Sequence, residues 1–272
     1  MIDNDVSVLL PVLNGEKYLG GCLLSLLAQD CILEIIIVDN GSTDHSVNII
    51  QNAIKMDSRI KLFFCESKGV ANALNFGLAK CSGQFIARID SDDLMINGRL
   101  RKQAGDMAAD SALAIVSSQV EYINSEGDTI GFSKYPIGYL ERSRAFCYSN
   151  PIAHPAVMFR LDFARKVGGY RSDYEGAEDL DLWIRLAKIG KILSKNEILT
   201  KYRIHETQIS NVENLYQKEL FFRRKEFLSI LKLNNTFLSL VFSSLHLFNL
   251  YVLRWKIMRL TRRKIRSFIL GK

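Results

Sequence analysis

The chain has 272 residues and 48% apolar content, enough for one large domain or a domain with an appendage, and a net charge of +7. Nine basic residues and no acid fall after Glu226, which leaves 27 basic against 29 acidic residues up to that point. The excess positive charge therefore belongs to the tail, which argues against a nucleic-acid groove on the main domain. Five cysteines at irregular spacing make neither a disulfide framework nor a zinc site. The start Met-Ile-Asp-Asn-Asp lacks the basic region of a signal peptide, so a cytoplasmic catalytic part is expected.

Taken in chain order, Val6 to Leu10 is a short apolar run of the kind that forms a strand buried on both faces. Tyr18, Leu19, Cys22, Leu23, Leu26 and Leu27 then recur at helical spacing, as on a helix packed against a sheet. Glu34 to Val38, Ile60 to Phe64 and Gln84 to Ile89 are further strands, separated by helices over Thr43 to Met56 and Gly69 to Lys80. This β-α-β-α order predicts an α/β fold, a Rossmann-like, mostly parallel sheet flanked by helices, with function in the loops after the strands.

Those loops are Pro11-Val12-Leu13-Asn14-Gly15, Asp39 to Asp44, Glu66-Ser67-Lys68-Gly69 and Asp90-Ser91-Asp92-Asp93. Neither a G-x-G-x-x-G nor a G-x-x-x-x-G-K-[ST] motif is present, which removes dinucleotide and P-loop readings. Three carboxylates within Asp90–Asp93 repel one another unless a cation or a hydrogen-bond network holds them. Mg²⁺ or Mn²⁺ bound with a diphosphate suits such hard oxygens. The competing reading is a solvated turn that caps the next helix. Asp39 ends an apolar strand and is expected in the crevice, whereas Asp44 suits a turn or cap.

Thr236 to Leu253 carries no formal charge but contains Ser239, Ser243, Ser244, His246 and Asn249, which makes a simple membrane span a poor fit. Arg254 to Arg266 interleaves seven basic residues with Trp255, Ile257, Met258, Leu260 and Ile265, as helices lying among anionic lipid headgroups do. The alternative is a helical subdomain that packs on the core or on a second copy.

Val6 to Asn14, Ile37 to Asp44, Lys68 to Asn72, Asp90 to Asp93, Asn150 to Arg160, Gly176 to Arg185 and Tyr202 to His205 together resemble the ordered motifs of family 2 glycosyltransferases with the GT-A fold. The resemblance spans about residues 5 to 210; Gln119 to Ser149 and the tail match nothing specific. It implies a catalytic domain over residues 1–211, a helical basic region over 212–272, and a nucleoside diphosphate sugar as donor. Pro11, Val12 and Asn14 would line the nucleoside pocket, and Asp39 would accept from the base, most naturally N3–H of uracil. Lys68, Gly69 and Asn72 would lie near the nucleotide, a helix cap being the other reading of Gly69. Asp90, beside Ser91, would orient ribose or sugar, and Asp92 would bind Mn²⁺ or Mg²⁺ with His205 completing that site; His154 is a weaker candidate.

The resemblance further implies inversion at the anomeric carbon with Asp179 as general base and Glu178 shaping its position or holding sugar hydroxyls. Neighbours at a helix start diverge by about 100°, so the two acids should do different things. Asp181 is expected at the surface or in a supporting role, and Trp183 in the core. The acceptor implied is a saccharide, lipid-linked through polyprenyl diphosphate as in bacterial O-antigen, capsule or exopolysaccharide assembly, with the enzyme peripheral at the inner face of the membrane. A soluble or protein acceptor, a non-catalytic nucleotide-sugar scaffold and an oligomer are the other readings.

Overall fold

The computed structural model describes residues 5–146 and 149–206. The tail readings, membrane attachment included, lie outside the described residues. The first half alternates as expected: β1 (Val6–Val12), α1 (Glu16–Leu27), β2 (Ile32–Asp39), α2 (Ser46–Met56), β3 (Ile60–Phe64), α3 (Val70–Lys80) and β4 (Phe85–Arg88). Strands β1 and β2 run one to two residues further than their apolar runs, and Asp39 closes β2 rather than opening the loop. Helix α2 starts at Ser46 because the residues from Asp39 to Asp44 are spent on turn hydrogen bonds.

The second half contributes β5 (Leu94–Met95), α4 (Arg99–Ala109), β6 (Leu113–Ile123), β7 (Thr129–Phe132), α5 (Tyr139–Ala145), β8 (Met158–Arg160), α6 (Leu161–Lys166), α7 (Glu178–Ala187) and β9 (Lys191–Arg203). These nine strands of the described residues join one sheet in the order β3-β2-β1-β4-β8-β6-β9-β5, with β7 on β6. The β3-β2-β1-β4 half is parallel. Beyond β4 the sheet is mixed, since β8 runs antiparallel to both β4 and β6 while β9 is parallel to β6 and antiparallel to β5.

Alternation along the strands divides the core into two layers. Leu9, Ile36, Val38 and Ile86 pack against Leu74 of α3 and Leu182 and Trp183 of α7, while Val8, Leu10, Ile35, Ile37 and Ala87 pack against Leu19 and Leu26 of α1 and Leu100 of α4. Helix α3 sits unusually close to the sheet at Gly77, where an added Cβ would lie 2.3 Å from Leu9 Cδ1 and 2.9 Å from Val38 Cγ2. Buried Arg99 stitches the layers: its guanidinium donates to the carbonyls of Arg88, Pro155 and Val157, to Thr200 Oγ1 and to Gln103 Oε1.

The parallel registers decide where a site can form. Val12 pairs with Asp39 and Leu9 with Arg88, so the loops after β1, β2 and β4 leave the sheet at one edge, on either side of the point where strand order reverses at β1. Among the described residues no helix is long and apolar enough to cross a membrane.

Candidate active site

At the end of β1, Val12 is buried and Pro11 half-buried, forming an apolar wall. Asn14 takes a left-handed backbone, φ 52°, a conformation asparagine tolerates better than most residues. Its Oδ1 accepts from Thr43 N at 2.8 Å and its own N–H donates to Ser42 Oγ at 3.0 Å, which locks the first loop to the second. Asp39 is 2% exposed; its Oδ2 accepts from the backbone N–H groups of Gly41 and Ser42, both at 3.1 Å. Its Oδ1 is buried with no hydrogen-bond partner among the described residues, an arrangement that costs free energy until a donor arrives. Asp44 has the structural role: it accepts from Glu16 N and Ser46 N, each at 2.9 Å, holding the first turns of α1 and α2.

The third loop is fixed on the second by Asn40, which donates to the carbonyls of Cys65 and Ser67 and accepts from Gly69 N at 3.0 Å. Lys68 is exposed, and Asn72 donates back to the Lys68 carbonyl at 2.7 Å. Gly69, at φ 108°, is the residue before α3, which agrees with its cap reading. The capping group is supplied from elsewhere: the Glu175 carboxylate accepts from Val70 N at 2.6 Å and Ala71 N at 3.3 Å.

The acidic loop is a built structure and not a solvated turn. Asp90 pairs with the buried Arg88 guanidinium, two residues earlier on the same face of the chain. Asp93 is 1% exposed, its Oδ1 accepting from Arg203 N at 2.7 Å while its Oδ2 is buried without a partner among the described residues. The Asp92 carbonyl accepts from Arg203 Nε at 2.9 Å, and Asp92 Oδ2 lies 2.9 Å from His205 Nε2. Tyr18 backs this corner, with the Arg203 guanidinium 4.4 Å from its ring centre and the His205 ring 5.2 Å away. Ser91 lies against Gly15, where a Cβ would come within 3.0 Å of its Oγ, so the first and fourth loops are in contact.

Ligand atoms of Asp90, Asp92 and Asp93 all lie within 4.8 Å of one another. Burial, reinforced by the neighbouring Asp92 charge, pushes the Asp90 carboxyl up against the pull of Arg88, and pushes Asp93 well up. Hard oxygen donors, an unpaired buried Asp93 Oδ2 and an imidazole on Asp92 together suit a divalent cation such as Mn²⁺ or Mg²⁺.

Glu178 and Asp179 open α7, the first buried and the second half-buried. Asp179 is half-buried; its Oδ2 accepts from Asn150 Nδ2 at 2.6 Å and its Oδ1 from Leu180 N at 2.7 Å. Glu178 is buried, accepts from Gly176 N at 2.6 Å, and is pushed up to about 8 by burial and then by the Asp179 charge.

Two expectations need correction or narrowing. Asp181 is not at the surface: it is fully buried and ion-paired with Arg185, one helical turn on, in a supporting role, because α7 is enclosed on nearly every side. His154 is half-buried, 3.1 Å from the Tyr170 hydroxyl and edge-on to Trp183; desolvation, with Arg88 nearby, holds its imidazole well below the usual range. Trp183 is in the core as expected. Sequence reasoning misses Arg88, Arg203, Asn150, Tyr18 and Glu175. A charge inside an apolar strand two residues before Asp90 marks Arg88, and Arg203 stands two residues before His205.

The glycosyl transferase family 2 model matches residues 7–168. The chain is 31% identical over 242 residues to the O-antigen biosynthesis glycosyltransferase WbnJ of Escherichia coli, covering 87% of this chain and 94% of that protein. It is 29% identical over 221 residues to chondroitin synthase of Escherichia coli, covering 80% of this chain and 32% of the other. Among solved structures, S. aureus TarS 1-349 in complex with UDP-GlcNAc is similar with a TM-score of 0.67 at 19% identity, covering 84% of this chain and 71% of that one. The mannosyltransferase PcManGT from Pyrobaculum calidifontis, in complex with GDP-Man and Mn²⁺, has a TM-score of 0.59 at 19% identity over 75% of this chain and 58% of its own. With its motifs, its sheet and its matched span in agreement, this chain belongs to glycosyl transferase family 2.

Proposed function

We propose that the protein is an inverting glycosyltransferase that moves a sugar from a nucleoside diphosphate sugar, a UDP-sugar by preference, to a saccharide hydroxyl in bacterial surface-polysaccharide synthesis. The observation that carries this reading is the convergence of Asp90, Asp92, Asp93 and His205 on the crevice edge that also holds Asp39. The unpartnered Asp39 Oδ1 would accept from the nucleobase, while Val12 and Pro11 pack against it. Asp92 and His205 would hold the divalent cation, which supplies charge neutralisation on the departing diphosphate. Asp90, kept by Arg88, would receive a ribose or sugar hydroxyl.

Transfer then needs one base on the opposite face of the sugar, and Asp179 is assigned to it. Asn150 holds one of its oxygens and the Leu180 amide the other, which orients the carboxylate before the acceptor arrives. Glu178, pushed up to about 8 by burial and then by the Asp179 charge, would keep a proton at neutral pH and donate to a sugar oxygen.

A lipid-linked acceptor and a place at the inner face of the membrane are supported by the O-antigen relative and by the basic, aromatic tail. A soluble acceptor is the competing reading and predicts a dispensable tail. The first test is to screen nucleotide sugars for UDP or GDP release with Mn²⁺, with Mg²⁺ and with EDTA, using wild type and Asp92→Asn. Wild type should lose activity in EDTA, and Asp92→Asn should fall by orders of magnitude and bind nucleotide without metal dependence. Full wild-type activity in EDTA would remove the metal assignment.

A further inference from the structure

The nucleotide-side helix α3 and the acid-bearing helix α7 are linked through the side chain of Glu175. This residue stands 105 positions from Val70 in sequence, yet its two oxygens accept from Val70 N at 2.6 Å and Ala71 N at 3.3 Å, the first two amides of α3. These are donors that no carbonyl inside the helix can reach, and a carboxylate at this end also meets the positive pole of the helix dipole. Gly69 leaves room for the contact, since a Cβ there would lie 3.0 Å and 3.1 Å from the two Glu175 oxygens.

The residues just after Glu175 give the contact its significance. Gly176, at φ 89°, turns the chain so that its N–H donates to Glu178 Oε2 at 2.6 Å; Ala177 N bonds the Tyr174 carbonyl at 2.7 Å, and α7 begins. Position is therefore passed from the α3 amides through Glu175 and Gly176 to Glu178 and Asp179 over five residues of chain. The backbone bonds of this segment are local, from Tyr174 N to the Arg171 carbonyl and from Glu175 N to the Ser172 carbonyl, so they shape the turn without tying it to α3.

We infer that Glu175 is a positioning residue for transfer, tethering the loop that presents the Glu178–Asp179 pair to the helix that borders the nucleotide. This rests on the assignment of Asp179 as base. Without the tether the donor still finds Asp39, Asp92 and His205, Asn75 of α3 still bonds Tyr170 upstream and Asn150 still holds Asp179, but the turn that leads into α7 loses its tie to the first turn of α3 and the base loses part of its positioning. The effect falls on turnover and not on nucleotide affinity.

The test uses the full chain and the variants Glu175→Ala, Glu175→Gln and Asp179→Asn. UDP affinity in Mn²⁺ is measured by calorimetry, amide hydrogen exchange is followed over residues 172–181, and turnover is measured on the nucleotide sugar that wild type cleaves fastest. Glu175→Ala should bind UDP within about twofold of wild type, exchange faster over 172–181, and lose kcat by about tenfold or more, since small misplacements of a reacting group are costly. Glu175→Gln keeps one acceptor oxygen and should fall between the two. Unchanged exchange over 172–181 in a folded Glu175→Ala, or a loss of UDP affinity equal to the loss of kcat, overturns the tether. Wild-type turnover by Asp179→Asn overturns the base assignment instead, and the exchange result stands apart from that outcome.

Discussion

At the scale of single residues, Glu178 and Asp179 share a helix start but answer to different surroundings. Glu178 is raised to about 8 from an ordinary 4.5, first by burial and then by Asp179. The native state therefore holds a proton there that the unfolded chain has released, and stability falls as pH rises between those values. Glu178→Gln should flatten that part of the stability–pH curve, as urea midpoints from pH 5 to 8.5 will show; an unchanged slope would mean that Glu178 is ionised in the native protein. Asp179→Asn should leave UDP binding nearly intact and depress turnover by about two to four decades, the scale of lost general-base catalysis. If Glu178→Gln is the inactive variant and Asp179→Asn the active one, the two roles are exchanged.

Among elements, Arg99 of α4 is the most exposed to failure through substitution. Its bonds to three backbone carbonyls, Thr200 and Gln103 link α4 to the chain around β4, β8 and β9, and burial lowers its own pKa to about 9. Arg99→Met removes all five of these bonds from the core, the Val157 carbonyl keeping only the Arg88 amide, and should cost about 3–5 kcal/mol, read as a lower urea midpoint. Gly77→Ala on α3 forces Leu9 and Val38 aside and should cost about 1–3 kcal/mol by overpacking. The first half of the sheet was legible because its strands are short apolar runs separated by amphipathic helices. The second half was not, because β6 carries Ser117, Ser118 and Gln119 in its middle, buried but bonded: Ser117 to Ser194, and Gln119 to Ser133 and Tyr135. A strand whose polar residues are satisfied by partners up to 77 residues away has no local signature. The same reasoning covers the site. Asp39, Asp92 and Asp179 stand in loop and helix-start motifs that sequence alone displays, whereas the parts played by Arg203 and Glu175 exist only through bonds to residues more than a hundred positions away.

Across the whole molecule, net charge divides into a main part that is slightly acidic and a tail with nine basic residues and no acid after Glu226. Binding to anionic vesicles should weaken as salt rises, because charge attraction is screened beyond about 8 Å at physiological ionic strength, while apolar contacts from Trp255, Ile257 and Leu260 persist. A chain ending at Leu233 should bind donor, but lose vesicle binding and most activity on a lipid-linked acceptor. Retention of both would favour the soluble-acceptor reading. The sheet order carries a consequence for synthesis. Among the described strands β9 is the last made, yet it lies inside the sheet between β6 and β5, and its terminal Arg203 is what grips Asp92 and Asp93. Translation therefore delivers the acidic loop more than a hundred residues before its clamp. Until Arg203 and His205 have been made, Asp92 and Asp93 lack the partners that hold them, so the geometry of the acidic loop is completed only by the last of the described strands and the residues just after it.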